Sequence, residues 1–195
     1  MADLNKLRFE TGRRNKFWNK NVVAIGLSSG FIEPLESTSI HLIQSGISRL
    51  LGLFPNRDFD QVGIDKYNEQ STDEIEAIRD FIVLHYKATQ RDDTPFWNYC
   101  RTMSVPDTLQ NKIDLFKSSG RIYRENEELF SDPSWLAVMF GQRIVPESYH
   151  PIVDAYDSTA LHKYLSGVVD VIDRSVNAMS SHEDFIQEHC AAINT

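Results

Sequence analysis

A short apolar run, Val22-Val23-Ala24-Ile25, empties into Gly26-Leu27-Ser28-Ser29-Gly30, and a hydroxyl-rich segment, Ser37-Thr38-Ser39, then opens an amphipathic stretch. No other part of the chain constrains the fold as strongly. The run predicts a buried strand, because β-branched residues suit a pleated surface. Beyond it, Ile40, Ile43, Ile47 and Leu50 recur at helical spacing and predict a helix over residues 38–53. The small residues between them let backbone come close to a ligand. A strand, a tight turn and a helix start with free N–H groups make a place for an anion or a cofactor. An ordinary strand-to-helix connection with hydroxyl caps is the plainer reading of the same local pattern.

The rest of the chain reads as helix after helix, so the expected fold class is mainly α with a short N-terminal β-hairpin. Residues 7–11 alternate and are expected to pair, through a turn at Gly12, with the strand near residues 21–26. A hairpin alone is marginal in water, so these strands are expected to belong to a larger sheet outside this sequence. Asp60 to Lys87 predicts one long or two broken helices, with Ile75, Ile78, Ile82 and His85 down one stripe. Shorter helices are expected at 94–103, 106–118 and 132–141, the first two with proline near the first helical position, where a missing N–H costs least. Residues 158–179 place Leu161, Leu165, Val168, Ile172, Val176 and Met179 on one face. The last helix is expected to start at Ser180 or Ser181, with Glu183 and Asp184 in capping-box positions.

A net charge of −8, with no basic run longer than Arg13-Arg14, argues against nucleic acid as a partner. Cys100 and Cys190 stand far apart in unrelated contexts, which predicts neither disulfide framework nor metal cluster and points to a reducing compartment. The N-terminus has no apolar signal core and no run is long enough for a membrane span, so the expectation is a soluble, cytoplasmic chain. The histidines show no metal-ligand grouping. His41 and His85 read as core or interface residues, and His182 and His189 as solvated. Trp97, Tyr99, Tyr123, Trp135, Tyr149 and Tyr156 include candidates for gripping a flat ring between two faces, although aromatics at such spacing more often fill a core.

The string Gly30-Phe31-Ile32-Glu33-Pro34-Leu35-Glu36-Ser37-Thr38-Ser39 resembles the signature of the flavin-dependent tryptophan halogenases. Leu7-Arg8-Phe9, Gly12-Arg13-Arg14, Arg79-Asp80-Phe81-Ile82, His85-Tyr86-Lys87-Ala88-Thr89, Asp92-Asp93-Thr94-Pro95-Phe96-Trp97, and Ser134-Trp135 to Gly141-Gln142 extend the likeness from about residue 7 to about residue 190. The resemblance implies an oxidoreductase that chlorinates or brominates an electron-rich aromatic, tryptophan or indole-like. It implies FAD, reduced by a separate flavin reductase, chloride or bromide, and no metal. A homodimer is compatible with it; nucleic acid and membrane are not among the implied partners. Glu36 matches the family's active-site glutamate beside the substrate ring, with Ser37 next to it. The backbone amides of Thr38 and Ser39 match a chloride site, and many members carry glycine where Ser39 stands. Leu27 and Ile40 match positions whose backbones touch the isoalloxazine, and Gly30 is expected to let the turn pass close to the flavin. Glu33 carries no implied role.

The family's Gly-rich dinucleotide unit has no counterpart here, since no G-x-G-x-x-G occurs, and the segments for its catalytic lysine and Trp-x-Trp-x-Ile-Pro motif are likewise missing. The chain is therefore expected to be the C-terminal part of a halogenase, inactive alone. Residues 1–36 would be the remnant of the flavin-binding domain and 37–195 a mostly helical substrate-side domain. The Tyr-Tyr pair of enzymes acting on free tryptophan is absent; Tyr123, Glu127 or Glu128, Phe130 and Trp135 only approximate that pattern. A non-catalytic helical interaction domain, or a hydroxylating flavin monooxygenase of the same superfamily, are the competing readings.

Overall fold

The computed structural model describes residues 6, 8 and 10–190, and the chain divides into two units, Met1–Tyr149 and His150–Thr195. In the first, short strands β1 (Gly12–Arg13), β2 (Trp18–Asn19), β3 (Val22–Val23) and β4 (Gly30–Phe31) precede helices α1 (Ser39–Gly52), α2 (Gln61–Lys87), α3 (Pro95–Thr102), α4 (Asp107–Ser119) and α5 (Asp132–Gly141). The second unit holds a short turn of 3-10 helix at Pro151–Ala155, then α6 (Ser158–Ala178) and α7 (His182–His189). The fold is mainly α, as the periodicity predicts, and Asp60 to Lys87 resolves into one helix. α7 starts after Ser181, whose hydroxyl accepts from the Asp184 amide at 3.1 Å.

The strand pairing differs from expectation. β3 pairs antiparallel with β2, joined by Lys20-Asn21, and β1 pairs with β4. Residues 7 and 9 of the expected first strand lie outside the described residues. Lys20 takes a positive φ of 57°, which suits a two-residue hairpin loop. Trp18 anchors the hairpin: Asn68 of α2 accepts from its amide at 2.8 Å and donates to its carbonyl at 2.9 Å. The Val22-Val23 run is not a buried strand either, for Val22 is exposed and Val23 only half-buried. Gly30 answers a packing demand of its own, since a Cβ there would lie 2.7 Å from the Gly12 carbonyl oxygen.

α2 is the spine of the first unit. The Asp60 carboxylate accepts from the amides of Gly63 and Val62 at 3.1 and 3.4 Å, satisfying N–H groups that a helix start leaves unpaired. Its buried positions run from Ile64 and Tyr67 through Ser71, Ile75 and Ile78 to Phe81, Ile82 and Leu84, the i, i+3, i+4 spacing of one core-facing stripe. Two clusters form along it. Phe17, Trp18, Ile64, Tyr67 and Ile75 pack near its start, and Phe81, Leu84, Leu109, Ile113, Phe116, Trp135 and Met139 gather at its end with α4 and α5.

α1 falls within the predicted residues 38–53. Leu42, Leu50 and Leu53 meet the first cluster, and the Tyr67 hydroxyl reaches the Gly46 carbonyl at 3.3 Å. Of the predicted stripe, only Leu50 packs there. Ile40 is 70% exposed and Ile43 and Ile47 are also open to solvent. The helix turns the Leu42–Gly46–Leu50 side toward α2, so the isoleucines fall on another side.

Candidate functional site

The loop between β4 and α1 is held from several directions. Gly26, at φ 64°, begins a turn whose geometry Ser28 and Ser29 lock. The Ser29 hydroxyl donates to the Gly26 carbonyl at 2.6 Å, and the Ser28 hydroxyl donates to the Ile25 carbonyl at 2.8 Å. The turn lies on α1, where a Cβ at Gly26 would come within 3.1 Å of Ile43 Cγ1. Leu27, at its tip, is 73% exposed. Leu27 and Ile40 therefore both leave apolar side chains to solvent beside the start of α1.

That start carries unused donors. Thr38 is the residue before α1 and is buried, yet its hydroxyl makes no cap. The amides of Thr38, Ser39, Ile40 and His41 donate to no acceptor among the described residues; Leu42 is the first to bond back, to the Thr38 carbonyl at 3.0 Å. Ser39 lies inside the helix without a positive φ, so serine there costs nothing relative to glycine. The left-handed backbone sits two residues earlier, at Ser37 with φ 52°, where the chain turns sharply after the Ser37 amide bonds the Pro34 carbonyl at 3.0 Å. Non-glycine residues in this region carry strain, and such residues concentrate at functional loops.

Both carboxylates of the loop reach consecutive residues at the end of α2. Glu36 Oε1 lies 3.1 Å from His85 Nε2. The Tyr86 hydroxyl donates to Glu33, 2.9 Å from each carboxylate oxygen. Burial, and then the hydrogen bond to Glu33, push the Tyr86 phenol above its ordinary value. Pro34 keeps the two glutamates from sharing a helical face, and tertiary contact brings them to one helix end instead. Sequence reasoning missed His85 and Tyr86 as members of this site. His85 is not simply a core residue: its side chain is 21% exposed and faces Glu36. His41, likewise expected in a core or interface, pairs with Glu74 at 2.9 Å; Glu74 also accepts from Arg49 at 2.9 Å and from Ser45 at 2.9 Å.

Within the first unit the tryptophan candidates pack in separate places. Trp135 is fully buried, edge-on to Phe81 at 4.9 Å, while Phe130 stacks on Phe81 at 3.8 Å. Trp97 stacks against Tyr86 at 6.2 Å with the Arg91 guanidinium 4.5 Å from its ring. Tyr99, Tyr123, Tyr149 and Tyr156 are exposed. Glu128 is held by Lys112 at 2.7 Å, and the same ammonium donates to the Tyr123 carbonyl at 2.8 Å. Among the described residues no three His, Cys, Asp or Glu side chains gather as metal ligands, and no helix is long and apolar enough to cross a membrane.

The loop carries two anchored glutamates and leads into a helix start with unused amides. Comparison with known proteins gives the class of protein to which this loop belongs. The tryptophan halogenase family profile matches residues 1–158, and the chain belongs to that family. It is 31% identical to the tryptophan 6-halogenase SttH of Streptomyces toxytricini over 190 residues, which is 94% of this chain and 36% of that one. Among solved structures it resembles Xcc4156, a flavin-dependent halogenase from Xanthomonas campestris, with a TM-score of 0.91 and 45% identity over 97% of this chain and 38% of that one. BrvH, a flavin-dependent halogenase from Brevundimonas sp. BAL3, superposes with a TM-score of 0.86 at 47% identity, covering 91% of this chain and 36% of its own. The chain thus spans little more than a third of the length of these relatives.

Proposed function

We propose that this chain forms the halide- and substrate-facing part of a flavin-dependent halogenase that chlorinates or brominates an electron-rich aromatic ring, tryptophan or indole-like. The observation that carries the reading is the run of free amides at Thr38, Ser39 and their helical successors, directly after Glu36. The amides of Thr38 and Ser39 are the donors for chloride or bromide. Orphan N–H groups and the positive helix end favour an anion by about 0.3–1 kcal/mol when exposed, and by more once enclosed. Glu36, with Ser37 beside it, faces the substrate, where a carboxylate opposes the positive charge that builds on a ring under electrophilic attack.

The residues present suit a reduced FAD as the opposite wall. The backbones of Leu27 and Ile40 would meet it, both residues are open to solvent, and the Ser28 and Ser29 hydroxyls close the turn that carries Leu27. When bound, the flavin supplies the oxygen chemistry that turns halide into an oxidant. The protein residues hold the anion, orient the ring and exclude water. On this reading residues 1–36 belong with the flavin-binding domain and residues 37–195 with the substrate side. The enzyme works in the cytoplasm and draws reduced flavin from a separate reductase.

Substitution of Glu36 by Gln, in an enzyme in which this region is joined to a flavin-binding unit, tests the assignment. Halogenation should fall on the order of a hundredfold or more while flavin reoxidation stays nearly unchanged, because the change keeps shape and removes charge. Turnover within about threefold of wild type would return Glu36 to a purely structural role. Anomalous diffraction from bromide-soaked crystals of that flavin-loaded enzyme should give a peak at the Thr38 and Ser39 amides. A peak elsewhere, with none there, sinks the halide assignment.

A further inference from the structure

We propose that His85 is a positioning residue for Glu36, fixing one carboxylate oxygen and leaving the other for the substrate. The proposal rests on the reading of Glu36 given above. Its ground is the pair of contacts made by one imidazole. Nδ1 lies 2.8 Å from the Phe81 carbonyl, one helical turn back along α2, and a carbonyl can only accept, so Nδ1 carries a hydrogen. Nε2 lies 3.1 Å from Glu36 Oε1. With Nδ1 protonated, a bare Nε2 would point its lone pair at a carboxylate oxygen. At this distance the two side chains attract when the imidazole is protonated and Glu36 is a carboxylate, an ion pair that draws Oε1 toward α2.

The ring's direction comes from the core. His85 packs edge-on to Phe81 at 4.9 Å and 82°, and Phe81 is buried between Phe130 and Trp135. The plane of the imidazole is therefore set by side chains that take no part in the site. The neighbouring carboxylate has a partner of its own, since the Tyr86 hydroxyl donates to Glu33 and lies 2.9 Å from each of its oxygens. Glu36 Oε2 accepts nothing among the described residues. One oxygen is anchored to α2 and the other is free, so the carboxylate keeps a fixed face toward the ring it serves. Displacing a group of this kind by about 1 Å costs up to about a hundredfold in rate.

Two measurements separate this from a structural role. In the long-range 1H–15N spectrum of the 195-residue chain, His85 Nδ1 should carry its proton, and Glu36→Gln should move the His85 Nε2 signal while Nδ1 stays protonated. An Nε2 signal indifferent to Glu36→Gln overturns the proposal. In the flavin-loaded enzyme, His85→Leu should lower kcat roughly ten- to a hundredfold with KM, flavin reoxidation and melting temperature near wild type. His85→Gln, whose amide still donates, should recover part of the loss, and it carries the test if His85→Leu does not fold. In a Glu36→Gln background His85→Leu should add nothing, as expected of residues acting through one group. An inactive Glu36→Gln with a fully active His85→Leu overturns the proposal and leaves the reading of Glu36 standing. An active Glu36→Gln overturns the reading itself.

Discussion

The two ends of α2 treat apolar side chains in opposite ways. At its C-terminal end Phe81 and Leu84 meet Leu109, Ile113 and Phe116 of α4 and Trp135 and Met139 of α5, and every one of them is buried. Near its N-terminal end α1 and the residue after it cover α2 with Leu42, Leu50 and Leu53, but α1 turns Ile40, Ile43, Ile47 and Leu51 to solvent. The first region closes on itself. The second is a helix apolar on two sides with only one covered, and isolated helices of that kind are rare on self-contained domains. The open side begins beside the free amides and Leu27. The proposed flavin and halide face and the exposed apolar face are the same surface, whereas the closed core supplies the rigid backing for His85.

Breaking the closed side should give the largest effect. Trp135→Ala removes a fully buried indole from between Phe81 and the Lys112 ammonium, and should cost about 3–5 kcal/mol in chemical denaturation. A loss below about 1 kcal/mol would mean that this cluster is looser than its packing shows. Because Phe81 sets the His85 ring, the same substitution should also broaden the His85 imidazole signals.

Nearly all helix bounds were legible in the sequence, since they depend on local signals: Asp60 at the head of a periodic run, and Pro95 and Pro106 near the first helical positions of α3 and α4. The hairpin was not, because strands of two residues have no readable alternation and their register hangs on Asn68 in a distant helix. Which side of α1 the chain covers was not legible either. Spacing shows that a helix has an apolar side, but not whether its own chain covers it. At the site, Glu36, Thr38 and Ser39 stand out through a motif, while His85 and Tyr86 enter through tertiary contact. The one local hint was His85 falling on the stripe of Ile75, Ile78 and Ile82, a polar ring where a fourth apolar residue belongs.

The boundary between the two regions can be probed through Tyr86. Tyr86→Phe removes the donor to Glu33 and should cost about 1 kcal/mol at neutral pH, the usual net worth of one hydrogen bond. The folded phenol holds its proton more tightly than the unfolded one. The contribution is therefore complete below about pH 10, the unfolded value, and fades as pH rises through the higher folded value. The gap between wild type and Tyr86→Phe in urea midpoint should narrow above about pH 10. A gap that stays constant or widens there would contradict the contact with Glu33.

The smallest effect belongs to the open side, and its smallness is the point. Ile78 and Ile47 are the same residue type on packed helices, yet Ile78 is 1% exposed and Ile47 is 44% exposed. Ile78→Ala should cost about 2–5 kcal/mol through lost burial and the cavity left behind. Ile47→Ala, with no cavity to leave, should change stability by no more than about 0.5 kcal/mol in this chain. Thermal melts of the two variants side by side measure the difference directly. In an enzyme that also contains the flavin-binding region, the silence of Ile47→Ala should end, because a surface covered by a second domain acquires the cost of uncovering it. An Ile47→Ala penalty of the same small size in both proteins would show that nothing covers this face, and would separate it from the proposed halide site more than two turns away.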